Sequence, residues 1–294
     1  MKYELAQTNR LGNRSSNQDR TGIARSERAV LLALADGMGG HAGGALAAQL
    51  LVDTLVQHFE GAAKPIANPQ AFFERSIVDA HCRVIAAGQQ RTPPISPRTT
   101  CVACLVQDGT AWWAHAGDSR LYLIRQDRVL ARTRDHTFVE QLYQGGVISK
   151  QERGSHPMRN YITQCVGGDS APPQITFGPP TPLEFGDVLL LCSDGLWAAL
   201  SSKEIIRLLA QDIPLADATE KMASCAEIAA YPASDNVSIA ALRWLGNAAP
   251  REPAPRQDEG AARTPPESGA KDRLSSAIEE ITRAIEQYEK EMKR

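Results

Sequence analysis

No run of about 18 uncharged apolar residues occurs in the sequence, so none of it reads as a transmembrane helix. The opening residues, MKYELAQTNR, carry Glu4 and Arg10 around a very short apolar patch. They lack the apolar run and small-residue cleavage site of a signal peptide. Charge bias is missing as well: Lys and Arg number 32 against 34 Asp and Glu, a formal net charge of −2. That balance excludes nucleic-acid binding driven by bulk charge. Cys101-x-x-Cys104 has no companion cysteine pair with zinc-ligand spacing, and no Gly-x-x-x-x-Gly-Lys-Ser/Thr loop offers a nucleotide phosphate cradle. These absences leave an expected cytoplasmic protein. Its six cysteines sit in apolar surroundings, where a reduced cysteine behaves as a small hydrophobe.

What is present divides the 294 residues into three parts. Residues 1–246 read as one folded domain. Residues 247–271 hold five prolines and eight charges, with alanine as the only aliphatic side chain. Such a stretch buries too little apolar surface to offset its ordering entropy and reads as a flexible linker. In 272–294, Leu274, Ile278, Ile281, Ile285, Tyr288 and Met292 form a heptad seam, and Glu279/Arg283 and Glu286/Lys290 add favourable i,i+4 pairs. A helix this short is marginal alone, so it is expected to dock on its own domain, a second copy or a partner, with self-association through 274–292 among the options. The bland alternative is a frayed tail.

Within the domain, 29–36, 99–108, 110–118, 120–125, 187–194 and 237–244 are short aliphatic runs bounded by turn residues and predict strands. Gln107-Asp108-Gly109-Thr110 predicts a hairpin turn. Helices are expected over 42–60, 70–88, 201–210 and 215–230. The mixture implies an α+β layered fold. On a strand, Cys101 and Cys104 face opposite sides, against a metal or redox pair.

The informative pattern is where aspartates fall. Asp36 ends an apolar strand and precedes Gly37; Asp194 ends another and precedes Gly195; Asp118 ends a third; Asp235 stands just before the strand from Val237. An isolated carboxylate beside an apolar core loses its hydration at high cost. Four of them make sense if they converge on hard cations such as Mg²⁺ or Mn²⁺. Any one of them alone reads more readily as an ordinary turn or cap residue, and it is their number that shifts the balance.

The segments NRSSNQD (13–19), LADGMGGHAGG (34–44), AGDSRLYLIR (116–125), RDHT (134–137), HPMRNYIT (156–163), LCSDGLW (191–197) and SDNVSI (234–239) occur in that order. Together they resemble the metal-dependent PPM, or type 2C, Ser/Thr protein phosphatases in their bacterial form, over about residues 3–244. The resemblance implies a four-layer αββα sandwich of two antiparallel sheets flanked by helices, with two Mn²⁺ or Mg²⁺ ions at one end. By the same resemblance Asp36 bridges the metals and the Gly37 carbonyl joins it. Asp194 and Asp235 hold the other metal, Asp118 serves a third, weaker one, and Asp19 acts directly or through water. Arg14 matches the arginine that grips the substrate phosphate.

The implied chemistry is attack on a phosphoserine or phosphothreonine phosphorus by a water that two cations have acidified, with no phospho-enzyme. Arg14 offers a planar fork for two phosphate oxygens. Two departures stand out: Gln18 replaces a glutamate common in relatives, and Met38 stands where eukaryotic members carry a histidine proposed as general acid. His41 is what bacterial members show, and it is left as proton donor, orienter of water or helix cap. Expected partners are phosphorylated proteins and a cognate Ser/Thr kinase. A non-catalytic scaffold on the same fold is the competing expectation. The remaining histidines read as structural: His115 packed, His136 and His156 holding loops, His58 and His81 on helix surfaces.

Overall fold

The computed structural model describes residues 1–38, 41–168 and 171–246, without the side chains of His41 and Ala42. The expected linker at 247–271 and heptad helix at 272–294 lie outside the described residues. The chain opens with β1 (Tyr3–Arg10), β2 (Arg20–Arg25), β3 (Ala29–Ala35), β4 (Gly37–Met38), α1 (His41–Gly61) and α2 (Pro69–Gln89). It continues through β5 (Arg98–Thr99), β6 (Cys101–Gln107), β7 (Thr110–Ala116), β8 (Arg120–Arg125), β9 (Arg128–Arg132), α3 (Phe138–Gln144) and α4 (Lys150–Ser155). It closes with β10 (Val166–Gly167), β11 (Thr176–Phe177), β12 (Thr181–Pro182), β13 (Val188–Cys192), α5 (Asp194–Trp197), α6 (Ser202–Leu209), α7 (Leu215–Ala230) and β14 (Val237–Trp244).

Two antiparallel sheets form the centre. One has the order β1-β14-β13-β8-β9; the other has β11-β7-β6-β3-β2, with β12 also on β7. A short ladder β10-β5-β4 continues beside them. Three apolar layers explain the architecture. Val30, Leu32, Leu34, Leu121, Leu189 and Leu242 fill the space between the sheets. Leu31, Leu51, Leu55, Phe73 and Ile77 pack α1 and α2 on the outer face of one sheet. Leu190, Ile205, Met222 and Ile239 pack α5 to α7 on the other. Both faces of β3 are therefore buried, which is why its sequence is an unbroken aliphatic run rather than an alternation. The result is the αββα sandwich of the α+β expectation.

Local signals set the element ends. Asn68 caps α2 by accepting from the Ala71 N–H, with Pro69 in the first turn. Ser201 and Glu204 form a capping box on α6. The β6–β7 turn has Asp108 and Gly109 both at positive φ, 49° and 75°, as a tight hairpin turn requires. Cys101 faces the helix layer and Cys104 the inter-sheet layer, so the two thiols diverge.

Three expectations need correction. The edge strands β1, β2 and β9 were not anticipated: their half-exposed, polar sequences carry no apolar run. His81 is buried rather than on a helix surface, where its Nδ1 accepts from the Gly167 N–H, and the neighbouring Cys82 is the exposed residue. His58 is half-buried, facing Ser76 and Asp79.

Candidate metal centre

The inner ends of the strands meet at one rim of the sandwich, in a cleft of about 390 Å³. Arg14, Asp36, Gly37, Asp118, Asp194 and Asp235 all line it, together with Gln18, Asn160 and Asn236. Asp36 leaves β3 at the floor. Its N–H donates to Thr100 Oγ at 2.9 Å, and its carbonyl accepts from the Thr100 N–H and the Thr99 hydroxyl. Gly37 follows in a place that only glycine fits, since a Cβ there would stand 2.2 Å from the Gly44 carbonyl oxygen. Asp194 begins α5 directly after β13. Asp118 lies between β7 and β8, beside Ser119, whose hydroxyl pairs with Thr100 at 2.7 Å. Asp235 precedes β14, and Asp19 precedes β2.

These carboxylates crowd one another in poorly hydrated space. Burial pushes Asp19 up to about 7, with the nearby Ser193 and Ser238 side chains pulling it down. Asp118 rises to about 8 through burial and then the Asp194 charge. Asp194 rises to about 6 through burial and then the Asp235 charge. Asp36 is held well above the carboxylate range by burial and by Asp19 and Asp194, both within its hydrogen-bonding reach. Among the described residues, no three His, Cys, Asp or Glu side chains already close on a cation as a finished cage. The donor set nevertheless suits a hard divalent cation. It is all oxygen, it is charged, and Asp19 Oδ2 is buried at 2% residue exposure with no hydrogen-bond partner.

Arg14 sits on the irregular loop between β1 and β2, its guanidinium 2.6 Å from Asp235 Oδ2. That hydrogen bond raises the pKa of Arg14 further, so it stays charged. A clasp between two loops holds it there. Asn236 accepts from the Gln18 N–H at 2.9 Å and donates to the carbonyls of Leu11 and Ser16 at 2.8 and 3.2 Å. Asn13 accepts from the Ser234 hydroxyl at 2.8 Å and donates its own N–H back to it at 3.0 Å. Gly12, at φ 62°, lets the loop press onto Asp235, where a Cβ would meet the Asp235 carbonyl oxygen at 2.2 Å. Sequence reasoning missed Asn13, Asn236, Ser193 and Ser238 as site builders. Their signal was present only as polar residues flanking the aspartates in NRSSNQD, LCSDGLW and SDNVSI.

The other singled-out residues hold structure. His136 fixes Gly117, next to Asp118: its own N–H donates to the Gly117 carbonyl, and its Nδ1 accepts from the Gly117 N–H. His115 stacks on it with ring centres 4.5 Å apart and is buried. His156 packs near Phe138 in the loop after α4. Gln18 packs against Gly44, where a Cβ would meet its Oε1 at 2.0 Å. The side chain of His41 lies outside what is described.

With this geometry in view, the comparisons with known proteins agree. The family model described as "Protein phosphatase 2C" matches residues 6–234. The chain is 35% identical over 231 residues to protein phosphatase PhpP of Streptococcus pneumoniae, covering 77% of this chain and 91% of that one. It is 36% identical over 213 residues to the serine/threonine protein phosphatase PstP of Mycobacterium tuberculosis, covering 72% of this chain and 40% of that one. Among solved structures, Stp1 from Staphylococcus aureus superposes with a TM-score of 0.77 at 31% identity, over 84% of this chain and 96% of that one. The catalytic domain of PstP in complex with 2 manganese ions superposes with a TM-score of 0.70 at 28% identity, over 83% of this chain and 99% of that one. The chain belongs to the protein phosphatase 2C family of serine/threonine phosphatases, in its bacterial form.

Proposed function

We propose that this protein hydrolyses phosphoserine and phosphothreonine esters in proteins at the cleft lined by Asp36, Asp118, Asp194 and Asp235, with Arg14 as the phosphate clamp. Asp36, the Gly37 carbonyl, Asp194, Asp235 and Asp19 would hold two Mn²⁺ or Mg²⁺ ions, and Asp118 a third, weaker one. Such ions, when bound, supply an acidified water as nucleophile and spread the charge of the transferring phosphoryl group. The protein's own part is positional. Arg14 presents its fork to two phosphate oxygens from the rim, in competition with Asp235. The loop clasp fixes the height of that fork above the floor, and Thr99 and Thr100 fix the backbone of Asp36. Proton transfer to the leaving alkoxide by His41 remains part of the proposal, as does the reversal of a Ser/Thr kinase. We also infer that residues 272–294, outside the described residues, are a tethered interaction element.

The single observation that carries this reading is the convergence of Asp36, Asp118, Asp194 and Asp235 on one cleft with Arg14 on its rim, backed by the buried Asp19. The experiment is turnover of p-nitrophenyl phosphate and a phosphothreonine peptide with Mn²⁺, in the parent and in Asp36→Asn. We expect EDTA to stop turnover and Asp36→Asn to reduce it by about 100-fold or more, as for the loss of one strong electrostatic contact to the transition state. Calorimetry should show weakened Mn²⁺ binding in the same variant. Normal turnover in Asp36→Asn would refute the assignment.

A further inference from the structure

Beside the cleft lies a second depression of about 340 Å³, lined by Gly12, Asn13, Glu227, Ile228, Tyr231 and Ser234. It is one residue away from the phosphate clamp along two segments of the chain at once: Asn13 precedes Arg14 and Ser234 precedes Asp235. Two of the most exposed large apolar side chains of the described residues stand on it, Ile228 at 76% and Tyr231 at 74%. Leu11, also exposed, precedes Gly12 in the same loop.

Ile228 has no packing reason to be there. The core face of α7 is Leu215, Ala218, Met222, Ala223 and Ala226, and Ile228 lies off that stripe. The depression's polar groups are already engaged with the protein. Glu227 Oε1 accepts from the Gly12 N–H at 3.3 Å, and Oε2 lies 3.5 Å from Arg10. The Ser234 hydroxyl and the Asn13 amide oxygen bind each other. The carboxylate is therefore not free to select a basic residue, and the surface left for recognition is the isoleucine and tyrosine. The clasp that fixes Arg14 also fixes this depression, so it is preformed.

We propose that this depression takes an aliphatic or aromatic side chain of the phosphoprotein substrate. That side chain would lie close in sequence to the phosphoresidue, since neighbouring residues of this protein line the clamp and the depression. The inference rests on the phosphatase reading of the adjoining cleft, and it names the sequence class that cleft would favour: phosphoserine or phosphothreonine flanked by a bulky apolar residue.

The test uses the full-length protein with Mn²⁺. Phosphothreonine peptides identical except for Leu, Ala or Lys at each position from −3 to +3 are compared by kcat/KM, with p-nitrophenyl phosphate as reference. We expect Leu to exceed Lys by about tenfold or more at one position, the discrimination typical of an apolar pocket. The double variant Ile228→Ser, Tyr231→Ser should bring that ratio to within about twofold. Ile228→Glu should turn it in favour of Lys. Both residues are solvent-exposed, so folding should be little affected. Equal turnover of all peptides by the parent, a preference for Lys, or a Leu preference that survives the double variant would overturn the inference while leaving the phosphatase reading intact. No turnover of any peptide or of p-nitrophenyl phosphate would overturn both.

Discussion

At the residue scale the carboxylates of the cleft are acids held far from their ordinary titration range. Asp194, Asp19 and Asp118 titrate at about 6, 7 and 8, against about 4 in an unfolded chain. Because the folded-state values are raised, the protonated forms favour the fold. That stability is fully present below about pH 4 and is lost as pH rises through 6 to 8. In EDTA, the melting temperature of the protein should therefore fall between pH 5.5 and 8.5. Excess Mn²⁺ or Mg²⁺ should reverse the fall, by about 5 °C or more at pH 8. Differential scanning calorimetry across that range, with and without the cation, measures both effects. A melting temperature independent of pH and of divalent ions would show that these side chains are neither protonated together nor poised for a cation.

At the scale of elements, the link between β7 and β8 shows how the fold supports Asp118. Arg120 opens β8 with two hydrogen bonds to Asp135, at 2.8 and 2.6 Å. It stacks on the Trp197 ring at 3.6 Å and donates to the Tyr122 hydroxyl. Arg120 and Asp135 are both buried, so Arg120→Met should leave the Asp135 carboxylate stranded and cost about 3–5 kcal/mol in urea unfolding, whereas Arg120→Met with Asp135→Leu should recover much of it. Equal losses in the single and double variants would mean that Arg120 matters for packing alone. Elements of this kind also mark what the sequence could disclose. The central strands β3, β6, β8, β13 and β14 were legible because burial on both faces writes an aliphatic run, and α7 because its stripe keeps the helical period. Strands β1, β2 and β9 were not, because an edge strand with polar faces resembles a loop until its partner is known. The helix α2 was expected, but His81 was read as a surface residue; it turns inward because the Gly167 N–H of β10 offers its ring a partner far along the chain. The aspartates of the cleft could be picked out by their place after apolar runs. Asn13 and Asn236 could not, since their importance lies in contacts across 218 to 225 residues.

At the scale of the whole molecule, the described residues 1–246 close on themselves. β1 pairs with β14 residue by residue from Tyr3–Trp244 to Arg10–Val237. Lys2 and Gly246 are joined by a 2.8 Å hydrogen bond. Truncation after residue 246 should leave the melting temperature and the turnover of p-nitrophenyl phosphate unchanged, while altering oligomeric state or partner capture if 272–294 is an interaction element. Removal of residues 1–10 should abolish cooperative unfolding, because it strips the outer strand from the last one and releases the loop that carries Arg14. Light scattering and thermal melts distinguish these cases, and a stable protein lacking residues 1–10 would count against the pairing. The same closure has a bearing on biosynthesis. The first strand emerges from the ribosome with nothing to pair with and must wait for the last to be translated. The arginine and the aspartate that it faces across the cleft are brought together only then, so a growing polypeptide, or one terminated before β14, should carry no phosphatase activity into the cell.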